Sequence, residues 1–292
     1  MRLSLFKSLP FLPQAIHRRW GFRMLLPGKS QQSGRVYLVG AGPGDAELLT
    51  LKAWRLLQQA DLVLYDDLVS DELLAMLPAK LDKRYVGKRC GVHSLSQQQI
   101  CRLLVTEAQA GKCVVRLKGG DPAVFARSAE ECAALENAGI AFAIVPGITA
   151  ASGLSAWCGI PLTHRDCAQS VRFITARMKC PQSEPNWANL VLGSKEGETL
   201  VFYMGLNRLD LICQRLAGHG MVADMPVAVV ENVSQLNQQR VTGQLGDIAA
   251  KVAARQFQGP ALIVVGEVVR HRVKVSPALL DQAAALSGYR GY

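Results

Sequence analysis

Arg35-Val-Tyr-Leu-Val-Gly40-Ala-Gly-Pro-Gly-Asp45 is the stretch on which the fold class turns. A β-branched apolar run ends in a cluster of glycines, and Leu48, Leu49, Leu51, Leu56 and Leu57 then recur at roughly helical spacing. That is a strand, a tight turn and a helix in succession, the opening unit of an α/β fold. Working outward, a second strand over Asp61 to Tyr65 ends at Asp66, and further strands are expected at Arg84 to Gly87, Cys113 to Leu117 and Ala141 to Val145. Helices over Ser96 to Ala110 and Ser128 to Ala138 separate them, with Gly111 and Gly139 placed as left-handed C-caps. Five such strands make a complete small parallel sheet.

After Pro146-Gly147 an Ala/Ser/Gly-rich stretch leads to a second series, Ser170 to Thr175, Thr199 to Tyr203, Pro226 to Glu231, Arg240 to Gly243 and Ala261 to Val265. The domains read as a basic leader over 1–33 without fixed structure, an N-terminal α/β lobe over 34–149, a C-terminal α/β lobe over 150–272 and a tail over 273–292. Lys179 to Glu198, rich in Pro, Ser, Asn and Gly, reads as a mobile loop over a cleft.

The chain has 292 residues, 49% hydrophobic and 19% charged, enough to bury a real core. No apolar run reaches the roughly 20 residues that cross a bilayer. The formal net charge of +10 is concentrated, since Arg2, Lys7, Arg18, Arg19, Arg23 and Lys29 fall in a leader without Asp or Glu. The body is only mildly basic, a field that suits a polyanionic small substrate about as well as nucleic acid, and the concentration of charge in the leader rather than the body argues against a nucleic-acid partner. The leader lacks the continuous apolar stretch of an export signal; a transit peptide, a disordered arm and a true start at Met24 all remain open. The eight cysteines contain no C-x-x-C pair and no Cys/His spacing typical of zinc, so buried free thiols in the cytoplasm and no metal are expected.

Gly40-Ala-Gly42-Pro43-Gly44-Asp45 invites a dinucleotide reading, but the spacing differs from G-x-G-x-x-G and Pro43 removes a backbone N–H. Gly119 and Gly120 at a strand end let the chain pass close to a ligand, and Asp121 can accept hydrogen bonds from it; Gly, Asp and Pro are equally the residues of an ordinary turn. Thr149 and Ala150 sit at an expected helix start, where free N–H groups suit a ligand and Thr equally suits an N-cap. Met204 at a strand end is core or a soft wall beside a flat ring. Asp66 and Lys88 both close strands at the edge where α/β sheets place their sites. Asp66 also lies where a dinucleotide fold keeps its ribose-binding acid, and Lys88 is equally a solvated lysine.

The ordered succession GAGPGD, LVLYDDLVS, VGKR, RLKGGDP, PGITAASG, GIPLTHR, VFYMGL and PVAVVEN closely resembles the tetrapyrrole methylase family, specifically its uroporphyrinogen-III C-methyltransferases, from about Gly34 to Arg272. The resemblance implies two αβα lobes with a ligand cleft between them, S-adenosylmethionine as cofactor (leaving as S-adenosylhomocysteine), no metal, a tetrapyrrole substrate and a homodimer. It implies cofactor contacts at Pro43, Gly119, Gly120, Asp121, Val124, Thr149, Ala150, Met204 and Val233, with Asp66 as proton acceptor and Lys88 as proton donor. The implied reaction methylates uroporphyrinogen III at ring carbons 2 and 7 to give precorrin-2, for sirohaem or cobalamin synthesis.

Such a polycarboxylate calls for basic side chains, and Arg116, Lys118, Arg127, Arg165, Arg172 and Arg177, with His164 beside them, are the candidates. Departures from the family pattern fall at Ala126 and Ala129 and at Val233-Ser234, where relatives carry glycines or Gly-Thr, and at Asp67, where many carry arginine. Larger relatives fuse a dehydrogenase and chelatase module ahead of this domain; with 33 residues preceding it here, methylation without iron insertion is expected.

Overall fold

The computed structural model describes residues 34–87, 95–180 and 182–279; the basic leader, Lys88 and most of the expected tail lie outside the described residues. The first sheet contains β1 (Arg35–Gly40), β2 (Leu62–Tyr65), β3 (Asp82–Tyr85), β4 (Cys113–Lys118) and β5 (Ala141–Val145). Their order is β3-β2-β4-β1-β5, and every pairing is parallel. Helices α1 (Leu51–Leu57), α2 (Asp71–Met76), α3 (Gln97–Gln109) and α4 (Ser128–Asn137) connect the strands.

Alternation along the strands divides the apolar side chains between two faces. Val36, Leu38, Leu62, Leu64 and Val114 pack with Ile100, Leu104 and Leu135 of α3 and α4. On the other face Val39, Val63, Val115 and Leu117 pack with Ala53, Leu57 and Leu73 of α1 and α2. Helix starts follow local chemistry: Thr50, Ser70 and Ser96 each accept a bond from the first turn, and Ser96 with Gln99 forms a reciprocal capping box. Gly111 and Gly139 take φ of 88° and 66°, the left-handed positions expected of them.

The second sheet contains β6 (Ser170–Thr175), β7 (Glu198–Tyr203), β8 (Pro226–Glu231), β9 (Gln239–Gln244) and β10 (Ala261–Val265), in the order β6-β7-β10-β8-β9. Only β6 and β7 run parallel; the other pairings are antiparallel. Helix α5 (Ala150–Cys158) covers one face through Ala151, Leu154 and Cys158. The other face packs on α6 (Trp187–Lys195), α7 (Leu209–Gly218) and α8 (Ile248–Ala253) through Leu190, Ile212, Leu216 and Ile248.

The expectation of a loop across Lys179 to Glu198 is corrected by α6. Trp187, Leu190 and Val191 share one buried helical face, Asn186 caps the start by accepting from the Asn189 N–H at 3.1 Å, and the Trp187 indole donates to Glu184 at 2.7 Å. The prolines, serines and asparagines around this short stripe conceal it in the sequence.

The C-terminal ends of β1 and β4 and the exit of β5 are joined by backbone alone. A Cβ added to Gly40 would stand 2.6 Å from the Gly120 carbonyl oxygen and 2.6 Å from the Gly147 Cα. One added to Gly147 would fall on that same Gly120 oxygen and 2.8 Å from the Gly40 Cα. Gly147→Ala is therefore expected to lower stability by about 1–3 kcal/mol, the usual range for overpacking. Urea unfolding measures it, and an unchanged midpoint would mean that the strand ends separate freely.

Candidate active site

The sequence-expected cofactor residues gather around that glycine junction. Gly42 and Gly120 exchange backbone hydrogen bonds of 3.2 and 2.7 Å, so the first turn and the RLKGGDP turn form one surface. Gly120 has φ of 67°, and a Cβ built on it would meet only the Ala150 nitrogen, 3.8 Å away, leaving open space above the backbone. Asp121 braces the turn, accepting from the Gly147 N–H at 2.9 Å and from the Ala123 N–H at 2.6 Å. Val124 closes the same turn, its N–H donating to the Asp121 carbonyl at 3.1 Å.

Pro43 reaches across to the second sheet. A Cβ on Gly153 of α5 would lie 2.7 Å from Pro43 and 3.1 Å from Val233, which places all three side by side. The Asp45 N–H donates to the Ser234 hydroxyl at 3.0 Å. Val233 is buried and has an ordinary backbone; the left-handed residues of this turn are its neighbours, Asn232 and Ser234. The glycine that relatives carry at 233 is thus not replaced at a strained position. Ala126 and Ala129 are likewise unstrained, the positive φ angles falling on Phe125 and Arg127.

Thr149 is the N-cap residue of α5, yet its hydroxyl makes no capping bond and instead pairs with the Tyr203 hydroxyl at 2.7 Å. Tyr203 also accepts from the Ala151 N–H at 3.3 Å, and its ring packs on Phe125 with centroids 5.1 Å apart. Burial raises the Tyr203 pKa, partly offset by the Thr149 bond, so the phenol stays protonated. Met204 follows β7 in a left-handed conformation and is 49% exposed, lining with Arg177 and Pro260 an open recess of about 490 Å³. Expected as a strand-end residue, it stands outside the strand with its thioether available.

Asp66 lies just past β2. Its carboxylate accepts from the Arg116 guanidinium at 2.8 Å and from the Leu68 N–H at 3.2 Å. Leu68 in turn packs against Gly119, where a Cβ would collide with the Leu68 side chain, so the Asp66 turn abuts the cofactor turn. Lys88 lies outside the described residues, and its pairing with Asp66 stays an expectation.

Arg116 and Lys118, expected to grip substrate, are corrected: both are buried in β4 and bound to Glu131 of α4 at 3.2 and 2.9 Å. Glu131 is fully buried and accepts a third bond from Gln97 at 3.0 Å. Burial, reinforced by neighbouring Arg116, lowers the Lys118 pKa, and Glu131 opposes the shift. Of the remaining candidates Arg127 pairs with Glu130, Arg172 with Glu198, and Arg165 and Arg177 are exposed. Sequence reasoning missed Tyr203, Phe125 and Glu131; a Tyr beside the noted Met204 was the only available signal.

The profile of the Tetrapyrrole (Corrin/Porphyrin) Methylases matches residues 35–249. The chain belongs to the tetrapyrrole methylases. Relatives of this methylase include a protein named siroheme synthase from Acinetobacter baylyi, 56% identical over 82% of this chain and 52% of its own length. Another, siroheme synthase 2 of Klebsiella pneumoniae, is 52% identical over 86% of this chain and 54% of its own. The chain thus spans about half the length of these curated relatives. Among solved structures, a uroporphyrin III C-methyl transferase from Thermus thermophilus is 41% identical with a TM-score of 0.69, covering 82% of this chain and 100% of its own. It has also been solved complexed with S-adenyl homocysteine.

The buried network of this methylase makes a stability prediction. Removing Glu131 leaves Arg116 and Lys118 without their shared anion in the interior, so Glu131→Ala should cost about 3–5 kcal/mol. Denaturant unfolding reads the loss directly; a cost below about 1 kcal/mol would show that the cations are reached by water.

Proposed function

We propose that this chain transfers methyl groups from S-adenosylmethionine to uroporphyrinogen III at ring carbons 2 and 7, giving precorrin-2 and S-adenosylhomocysteine, toward sirohaem or cobalamin. The observation that carries the reading is that expected cofactor residues form one run of contacts, from Pro43 through the glycine junction to Thr149, which the Asp66 turn meets where Leu68 packs on Gly119. The 41% identical methyl transfer enzyme solved with S-adenyl homocysteine supports the cofactor. The residues fit such a ligand: Gly120 leaves open space above its backbone, and Met204, next to Tyr203 in the chain, is half-exposed.

The cofactor, when bound, supplies an electrophilic methyl group on a sulfonium. The protein's part is positioning and proton management. Gly119 and Gly120 let the backbone approach, Asp121 holds the turn, and Thr149 with Tyr203 fixes the start of α5. Once a pyrrole carbon has taken the methyl, the ring is cationic and must lose a proton. Asp66, held by Arg116 and the Leu68 N–H, takes it at a carboxylate oxygen. Lys88 is the proposed proton donor. The reading further places the enzyme in the cytoplasm as a homodimer, without nucleic-acid or membrane partners; among the described residues no helix is long and apolar enough to cross a membrane.

Anaerobic incubation with uroporphyrinogen III and labelled S-adenosylmethionine should yield a tetrapyrrole heavier by two methyl groups. Binding of the cofactor without methylation would turn the search to later corrin intermediates. Asp66→Asn should slow methyl transfer by about 100-fold or more while cofactor affinity, measured calorimetrically, changes little. An unaltered rate would remove Asp66 as the base.

Tyr203→Phe tests the other wall. Loss of its hydroxyl leaves the Ala151 N–H and Thr149 without their partner, so cofactor affinity should fall about tenfold, the equivalent of one lost hydrogen bond. Equal affinity would show that the α5 start is set without Tyr203.

A further inference from the structure

His164, Cys167 and His271 bring their ligand atoms within 4.8 Å of one another, although 107 positions separate the first from the last. We infer that these three side chains form a site for a zinc-like divalent cation, separate from the methyl-transfer chemistry. Two rigid pieces of backbone supply it. His164 and Ala168 exchange backbone bonds of 2.8 Å each way, and the Cys167 N–H donates to the His164 carbonyl at 3.2 Å, so one closed turn presents both residues. His271 ends the short helical turn after β10, its N–H donating to Val268 at 3.1 Å. Two residues on, the Val273 N–H donates to the Gly159 carbonyl at 2.9 Å, which ties this segment to the C-terminal end of α5. The candidate active site gathers at the opposite end of that helix.

The side chains suit one class of ion. The two imidazoles are stacked with centroids 4.0 Å apart and planes inclined by 24°, and a thiol stands beside them. Two nitrogens and one sulfur fit zinc(II) and its borderline neighbours, whereas magnesium and calcium require oxygen. Ligands at about 2.0–2.3 Å from a tetrahedral ion stand closer together than 4.8 Å, so binding draws the three side chains inward. His164 and Cys167 are half-buried and His271 is exposed, which leaves room for that adjustment and for water as fourth ligand.

Two carboxylates stand near the cluster, at Asp166 and Glu267. The His164 Nδ1 accepts from the Asp166 N–H at 3.3 Å, and the Asp166 carboxylate lies 3.8 Å from the same nitrogen. A divalent ion bound here would stabilise the Cys167 thiolate. Arg270, which precedes His271, is engaged by Glu267 at 2.9 Å, while Arg272 and Arg165 also adjoin the cluster in the chain.

The test uses the full chain, stripped with chelator and titrated calorimetrically with zinc(II), and spectroscopically with cobalt(II). One ion per chain is expected, with a thiolate-to-cobalt charge-transfer band that disappears in Cys167→Ser. His271→Ala should weaken zinc binding at least tenfold, while His219→Ala and Cys180→Ser leave it unchanged. Saturating zinc should raise the thermal midpoint by about 5 °C in the parent and not in Cys167→Ser. Matching midpoints of the metal-free variants and parent would show that the substitutions spare the fold. Failure to bind stoichiometrically overturns the inference, as does zinc affinity that survives either Cys167→Ser or His271→Ala, because the ion would then be held elsewhere. Methylation activity is not a readout, so the outcome is independent of the proposed reaction.

Discussion

The contact of three glycine backbones, at positions 40, 120 and 147, is the constraint around which this protein is built. Strand ends in a parallel sheet ordinarily keep side chains between themselves and the next layer. Here Gly40 and Gly147 each meet the Gly120 carbonyl with no side chain between them. That closeness lets Asp121 reach the Gly147 N–H, and the Ala150 nitrogen at the start of α5 lies 3.8 Å from where a Cβ on Gly120 would stand. The turn that would cradle a ligand and the segment leading into the second sheet are therefore fixed by the same packing.

A second constraint sits behind the first. Placing Arg116, Lys118 and Glu131 in the interior is expensive, and the arrangement persists because each charge meets a partner. Arg116 also donates to the carbonyls of Leu64 and Leu117 and to Asp66, so it spends its donors on aligning β2 and β4 as well as on the carboxylate. Asp66 is held from below by a buried guanidinium. A candidate base on a loop acquires in this way the fixity of a strand residue.

The α/β class and nearly every strand were legible because β-branched runs and glycine punctuation are local signals, and β1, β5, β6, β8 and β10 have the bounds expected for them. Helix α6 was hidden because its apolar stripe spans barely one turn among polar residues. Directions within the second sheet were also beyond reach, since parallel and antiparallel partners are chosen by tertiary packing. The charged candidates divided on burial: spacing can show an arginine at a strand end, as with Arg116, but not that α4 sets a carboxylate opposite it. Tyr203 went unremarked because its importance lies in a bond to Thr149 across 54 residues. The cluster of His164, Cys167 and His271 is illegible for the same reason, a zinc-ligand spacing rule being blind to residues that meet only in space.

The bond from the Asp45 N–H to the Ser234 hydroxyl closes a loop of 189 residues. Neither sheet contains the whole of the proposed ligand surface, because Pro43 and Gly120 come from one and Val233 and Tyr203 from the other. Each sheet collapses largely through contacts of its own, whereas the surface between them waits for the slowest closures in the chain. If these residues form the proposed site, its capacity to hold a ligand depends on both sheets being formed at once.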